Sequence, residues 1–259
     1  MKIKLLGKNL DHVRSILESA GLTDCGTDTP EVVVTYGGDG ALLGAERDYP
    51  GILKLPLRDK ETAPTCQLHE TSRVISQFIN GELKTFRLPK LAAESPAGSL
   101  TGINDLVLHT ADYTTALRYR VWIDGELYAP EVVGDGICFA GVHGSTAYYR
   151  SITKGIFRTG VGLAFSNSTE AVDHLVLPES STVAVEIIRG TGIVMADNDP
   201  RKFTVNVGDR ISFRQINEFA SICGLDGFMC QECRHLRHRT PYFLSREKKV
   251  NGGTGAKPL

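Results

Sequence analysis

Hydrophobic and polar positions along the chain follow two different periods. Up to about residue 90, short β-branched runs alternate with stretches of helical spacing. Residues 2–6 form a short apolar run, and residues 31–36 (EVVVTY) form a β-branched run that stops at Gly37-Gly38-Asp39-Gly40. Between them Val13, Ile16, Leu17 and Ala20 recur on one helical face, with Asn9 placed to cap the helix and Gly21 to end it. A helix over 41–47, a strand over 51–55 and a helix over 67–80, carrying Leu68, Ile75, Phe78 and Ile79, complete a β-α-β-α-β order. That order predicts an α/β N-terminal domain with a parallel, doubly wound, Rossmann-like sheet, whose ligands sit at the carboxyl ends of the strands.

Beyond about residue 100 the period shortens to two. Leu117, Tyr119, Val121 and Ile123 alternate with Arg118, Arg120 and Trp122, and Asp124-Gly125 is a hairpin turn signal. Val183, Val185 and Ile187 alternate likewise, as do Phe203, Val205 and Val207, followed by Ile211 and Phe213. A short helix is expected over 145–151. The second half therefore reads as a mostly antiparallel β, sandwich-like C-terminal domain. Pro89, Pro96, Gly98 and Ser99 mark a connection of low periodicity. The expected domains are 1–97, 98–222, and a tail over 223–259 that packs back on the first domain. Between residues 234 and 249 this tail has six Arg or Lys against one Glu. It ends in a Gly-rich stretch expected to be disordered.

Composition narrows the classes. The 259 residues are 41% hydrophobic and 23% charged, as in ordinary globular proteins. Lys plus Arg is 29 and Asp plus Glu is 30, so the basic excess of a dedicated nucleic-acid binder is missing and no nucleic-acid partner is expected. No apolar run approaches the ~20 residues of a membrane helix. The opening MKIKLLGKNLDHVRS is charged too soon for a signal peptide, and the six cysteines read as reduced thiols. The expected location is the cytoplasm.

Three fragments carry candidate chemistry. Glycines after a strand let backbone N–H groups approach a phosphate, and a carboxylate among them can hold Mg²⁺ or accept a proton from an attacking hydroxyl. Gly37, Gly38, Asp39 and Gly40 fit that description. The second fragment is Gly134-Asp135-Gly136 followed by Gly144-Ser145-Thr146-Ala147-Tyr148, which offers hydroxyls, free N–H groups and an aromatic face. The third is Asn104-Asp105, whose side chains suit ribose hydroxyls or an amide.

Together these fragments resemble the NAD kinase family, with its GGDG loop, an Asn-Glu on a later strand, a GDG, and a G-S-T-A-Y segment. Order and approximate spacing match from about residue 31 to about 213. The resemblance implies an α/β domain, a β-sandwich-like domain and a site between them. The implied activity is transfer of the γ-phosphate of ATP, or of polyphosphate, to the adenosine ribose 2′-hydroxyl of NAD, giving NADP. It also implies Mg²⁺ with ATP and a homo-oligomer, dimer or tetramer. By the same resemblance Asp39 is the base, and Gly37, Gly38 and Gly40 cradle phosphate. Asn104 and Asp105 hold NAD, with Asp105 in place of the usual Glu. Thr146, Ala147 and Tyr148 line the dinucleotide site, with Asp135 and Ser151 nearby.

The chain departs from that pattern at several points. Ala41 replaces the threonine after GGDG, Gly141-Val142-His143 precedes GSTAY, and Asp197-Asn198 replaces a late Asp-Gly. A family G-x-N-x-G-x-L-G-F stretch is replaced by Lys54-Leu55-Pro56-Leu57-Arg58. Arg47, Arg58 and Lys60 are each placed to neutralise phosphate charge. Ala41 and the missing stretch leave a second reading, a catalytically idle dinucleotide-binding sensor or partner subunit of the same fold. Outside the family pattern, Cys223, Cys230, Cys233, His235 and His238 fall within 16 residues. Thiolates and an imidazole at such spacing suit tetrahedral Zn²⁺, with Cys223, Cys230, Cys233 and His235 (or His238) as the expected ligands.

Overall fold

Both periods become structure in a computed structural model that describes residues 1–59, 64–170 and 173–233. The elements run β1 (Lys2–Gly7), α1 (Leu10–Ser19), β2 (Thr23–Asp24), β3 (Val32–Tyr36), α2 (Asp39–Asp48), β4 (Leu53–Leu57), a 3-10 turn (Gln67–His69) and α3 (Thr71–Ile79). There follow β5 (Thr85–Ser95), β6 (Gly98–Gly102), β7 (Asp105–Thr110), β8 (Leu117–Ile123), β9 (Glu126–Gly134), β10 (Gly136–Ala140), a 3-10 turn (Gly144–Thr146) and α4 (Tyr148–Thr153). The remainder is β11 (Val161–Ser166), β12 (His174–Leu177), β13 (Thr182–Arg189), β14 (Gly192–Ala196), β15 (Phe203–Val205), β16 (Arg210–Cys223) and α5 (Leu225–Phe228).

The chain divides into two units. The first comprises Met1–Leu42, Leu53–Phe86 and the described residues from Ile222 onward. Its strands run parallel in the order β2-β1-β3-β4, with Ile222 of β16 paired to Lys54. All five residues of β3 are buried, as a central strand of a parallel sheet covered on both faces requires. Val13 and Leu17 of α1 and Ile75 of α3 pack with Ile3, Val32, Val34 and Leu55 in this core. Asn9 does precede α1, but in a left-handed conformation without a side-chain cap; its amide donates to Asp59 at 3.3 Å instead. The helix expected over 67–80 is interrupted, because Glu70 is extended between the 3-10 turn and α3.

The second unit comprises Leu43–Ile52 and Arg87–Ser221. One of its sheets has six antiparallel strands in the order β12-β11-β10-β7-β14-β15. The other runs β16-β13-β8-β9, also antiparallel. Tyr119, Val121, Val183 and Phe213 from the latter share one core with Leu106, Leu108, Ile137, Phe139 and Leu163 from the former. The alternation of inward residues on both sheets is what makes a sandwich. Tyr119, fully buried, donates its hydroxyl to the Gly136 carbonyl at 3.0 Å. The low-periodicity stretch around Pro89 and Ser99 is not a linker: β5 and β6 pair there, with Leu91, Ala92 and Ala93 buried.

A buried ion pair joins α2 to β5 within this unit. Lys90 Nζ lies 2.7 Å from Glu46 Oε1, with side chains 8% and 4% exposed. Removing one partner of such a pair strands a desolvated charge, at a cost of about 3–5 kcal/mol. Lys90→Met, which keeps the apolar stem, is therefore expected to lower unfolding stability by that amount in a denaturant titration. A change below about 1 kcal/mol would show that Glu46 sheds its charge without penalty.

Candidate active site

In the first unit β3 ends at Tyr36 and the chain turns through Gly37 and Gly38 into α2, whose first residue is Asp39. The turn is pinned to β4, since Gly37 N–H donates to the Leu57 carbonyl at 2.8 Å. The carboxyl ends of two parallel strands thus carry the loop and Arg58. The Arg58 guanidinium, 10% exposed, lies 3.2 Å from Asp39 Oδ1, and the Asp39 side chain is 54% exposed. Of the three cations proposed for phosphate, Arg58 is the one beside Asp39. Arg47 pairs with Asp48 at 2.8 Å in the second unit, and Lys60 lies outside the described residues.

The second unit gathers most of the remaining candidates. Asn104 and Asp105 stand at the start of β7, both buried. The Asp197 carboxylate accepts the N–H groups of Ile103, Asn104 and Asp105 at 2.8, 2.8 and 3.1 Å. Gly144, which opens the Gly-Ser-Thr turn, lies so close to Asn104 that a Cβ there would sit 1.9 Å from the Asn104 carbonyl oxygen. Only glycine permits that approach. Thr146 is half-buried, Ala147 and Tyr148 are exposed, and the Tyr148 N–H faces the Asp105 carboxyl. Asn104 Oδ1 is buried without a hydrogen-bond partner among the described residues. A buried acceptor left open costs about 1–3 kcal/mol, so this atom marks a place for a ligand donor.

Asp135 accepts the Asn167 amide at 2.6 Å, and Ser151 donates to the Tyr148 carbonyl at 2.7 Å. Tyr148, Ser151 and Asn167 line one open cleft of about 680 Å³. Asn167 had no signal in the sequence, and Asp197 entered only as a departure from a motif.

Burial, and next the neighbouring Asp197, push the Asp105 carboxyl up to about 7. Burial also raises Asp197, but three backbone donors oppose it. Asp197 is therefore the ionised member and Asp105 the one that keeps its proton near neutrality.

Among the described residues one group could hold a metal ion, and it differs in part from the expected set. Cys230 and Cys233 are present, joined by Cys66 and His69. Cys223 stands apart, directing its thiol at the Leu83 carbonyl at 3.8 Å. His235 and His238 lie outside the described residues.

A parallel α/β unit with a glycine loop at its strand ends, together with an antiparallel sandwich unit, is the fold of the NAD and NADH kinases. A yeast NADH kinase complexed with NADH superimposes with a TM-score of 0.72 at 14% identity, covering 100% of this chain and 90% of that one. An Archaeoglobus fulgidus NAD kinase in complex with ATP gives 0.70 at 16% identity, covering 92% and 99%. In sequence, the chain is 29% identical over 144 residues to a Staphylococcus carnosus NAD kinase, 49% of this chain and 51% of that protein. It is 27% identical over 202 residues to one from Gemmatimonas aurantiaca, 71% of this chain and 65% of that protein. A Clostridium beijerinckii NAD kinase is 21% identical over 227 residues, 83% of this chain and 75% of that protein. The chain thus spans about half to two thirds of the length of the first two relatives. No protein-family model matches it. In fold, and at 21–29% identity in sequence, the chain thus resembles the NAD kinases. No helix among its described residues is long and apolar enough to cross a membrane.

The raised Asp105 carboxyl has a consequence for stability. A folded value near 7 against about 4 unfolded means that its contribution is fully present below about pH 4 and lost as the pH rises through 7. Asp105→Asn, a mimic of the protonated form, should be more stable than the parent at pH 8 by about 2–4 kcal/mol and nearly equal to it at pH 4. Unfolding at several pH values measures both. Parallel profiles for the two proteins would remove Asp105 as the titrating group.

Proposed function

We propose that the protein is an NAD kinase, transferring the γ-phosphate of ATP, or a phosphate of polyphosphate, to the 2′-hydroxyl of the adenosine ribose of NAD. The observation that carries this reading is the Gly37–Gly40 loop, which presents an exposed Asp39 at the first turn of α2 beside Arg58. In the proposed reaction the Asp39 carboxylate accepts the 2′-hydroxyl proton while its oxygen attacks the γ-phosphorus. The bond to the bridging oxygen breaks, and ADP leaves. N–H groups of the loop and the N-terminus of α2 face the phosphates. Arg58 supplies charge to the transferring group. The loop itself contributes one carboxylate, which is in contact with Arg58. Mg²⁺ would arrive on the ATP phosphates, and its chemistry is to neutralise their charge.

Within the second unit, Asn104, Asp105, Asp135, Thr146, Ala147, Tyr148 and Ser151 are proposed to hold NAD. Asn104 Oδ1 supports this assignment, since an amino or hydroxyl group of the dinucleotide would satisfy it. A homo-oligomer and a cytoplasmic location remain parts of the same proposal. One observation favours the second reading, an idle dinucleotide-binding sensor. Ala41 brings no hydroxyl to the loop, and a carboxylate held by Arg58 also serves as a plain strut.

Incubation of the purified protein with NAD, ATP and Mg²⁺ should yield NADP. Dinucleotide binding without NADP from ATP, other nucleoside triphosphates or polyphosphate would select the sensor.

Asp39→Asn is expected to keep the fold and NAD affinity but lower kcat by about 10²–10⁴, because an amide cannot take the proton. Steady-state kinetics beside NAD titration read both quantities. A loss under about tenfold would leave Asp39 as a turn residue.

A further inference from the structure

Cys66, His69, Cys230 and Cys233 meet in the first unit. Each offers one ligand atom, and the four atoms lie within 4.8 Å of one another. Cys66 Sγ is 3.2 Å from His69 Nδ1 and 3.6 Å from Cys233 Sγ, which is itself 3.6 Å from His69 Nδ1. With Zn–S near 2.3 Å and Zn–N near 2.0 Å, the edges of a tetrahedral Zn²⁺ site are about 3.5–3.8 Å long. We infer that these four side chains form a structural Zn²⁺ site.

Three further features of the same place support the assignment. The backbone aims donors at sulfur: Cys66 N–H reaches Cys233 Sγ at 3.2 Å, and the N–H groups of Glu232 and Cys233 face Cys230 Sγ. Such donors suit thiolates, and thiolates packed this closely need a cation between them. Gly227 fits the site as well. A Cβ there would lie 2.9 Å from His69 Cδ2, so a larger residue would push the imidazole away. The elements that carry the ligands, finally, are a 3-10 turn of three residues and the residues around α5, a helix of four. Elements so short do not hold themselves in water.

The two halves of the site share one spacing. Cys66-x-x-His69 follows β4, and Cys230-x-x-Cys233 follows α5. Four protein ligands close the coordination sphere and leave no place for substrate, which makes the site structural rather than catalytic. The metal would fasten the segment after β4 to the segment after β16. Soft sulfur with one imidazole selects zinc over magnesium or calcium.

The site is independent of the proposed reaction, and its test does not use turnover. Protein purified without added metal should contain about one zinc per chain by elemental analysis. Stripped under reducing conditions and reloaded with Co²⁺, it should show the visible bands of tetrahedral cobalt and thiolate-to-metal charge transfer. Stripping should lower the melting temperature, and zinc should restore it. Cys66→Ser and Cys233→Ser should lose the metal, whereas Cys223→Ser should keep it. Metal that follows Cys223 rather than Cys66, or iron in place of zinc, overturns the assignment. So does metal well below one equivalent in wild-type protein that also fails to give the cobalt spectrum. A Cys66–Cys233 disulfide in the purified protein would overturn it equally.

Discussion

Asp197 accepts three consecutive backbone N–H groups, from Ile103, Asn104 and Asp105, and the start of β7, where Asn104 and Asp105 stand, is held by that corner. The residue adopts a left-handed conformation with φ of 47°, which aspartate tolerates better than most side chains. Its own N–H donates to the Asp105 carbonyl at 2.9 Å, so the contact runs both ways. A carboxylate with three donors keeps its charge even when buried, because each N–H replaces a water it has lost.

The charge on Asp197 then decides the state of Asp105. Two carboxylates in one buried corner do not both ionise, and Asp105 has the single N–H of Tyr148 where Asp197 has three. A protonated Asp105 is a hydrogen-bond donor as well as an acceptor. Glutamate, the usual family residue here, has one more methylene, so the shorter Asp105 sets the carboxyl further back towards the strand.

Much of this was legible in the sequence, and the parts that were not share a cause. The strands of both units follow from local alternation: β8 covers the Leu117–Ile123 run, and Asp124 and Gly125 turn with positive φ as a hairpin of that kind requires. The loop at Gly37 was legible because a β-branched run ending in glycines is a local signal. The β5–β6 pair was misread as a connection because Pro89 and Pro96 outweighed the short apolar run 91–93, which pairing with β6 and β16 makes a strand. The Cys and His cluster was legible only in part, for the same reason at longer range. Cys230 and Cys233 were among the expected ligands, but the residues they meet, Cys66 and His69, lie far away in the chain. The repeated two-residue spacing, Cys-x-x-His and Cys-x-x-Cys, was the available clue.

In the proposed reaction Asp39 and Arg58 would serve two chemistries as one local pair. Gly37 is tied to the carbonyl of Leu57, and Arg58 is the next residue, so the same turn that shapes the loop delivers the guanidinium to Asp39. Arg58 is largely buried while Asp39 is exposed, which leaves the carboxylate facing outward and the cation behind it. An incoming phosphate would meet loop N–H groups and that cation together, and it would draw the guanidinium away from Asp39. The carboxylate released by such an exchange would be the one that the proposed reaction uses as its base. Phosphate binding and base activation would then be a single rearrangement of one ion pair, which neither the glycines nor Asp39 alone would provide.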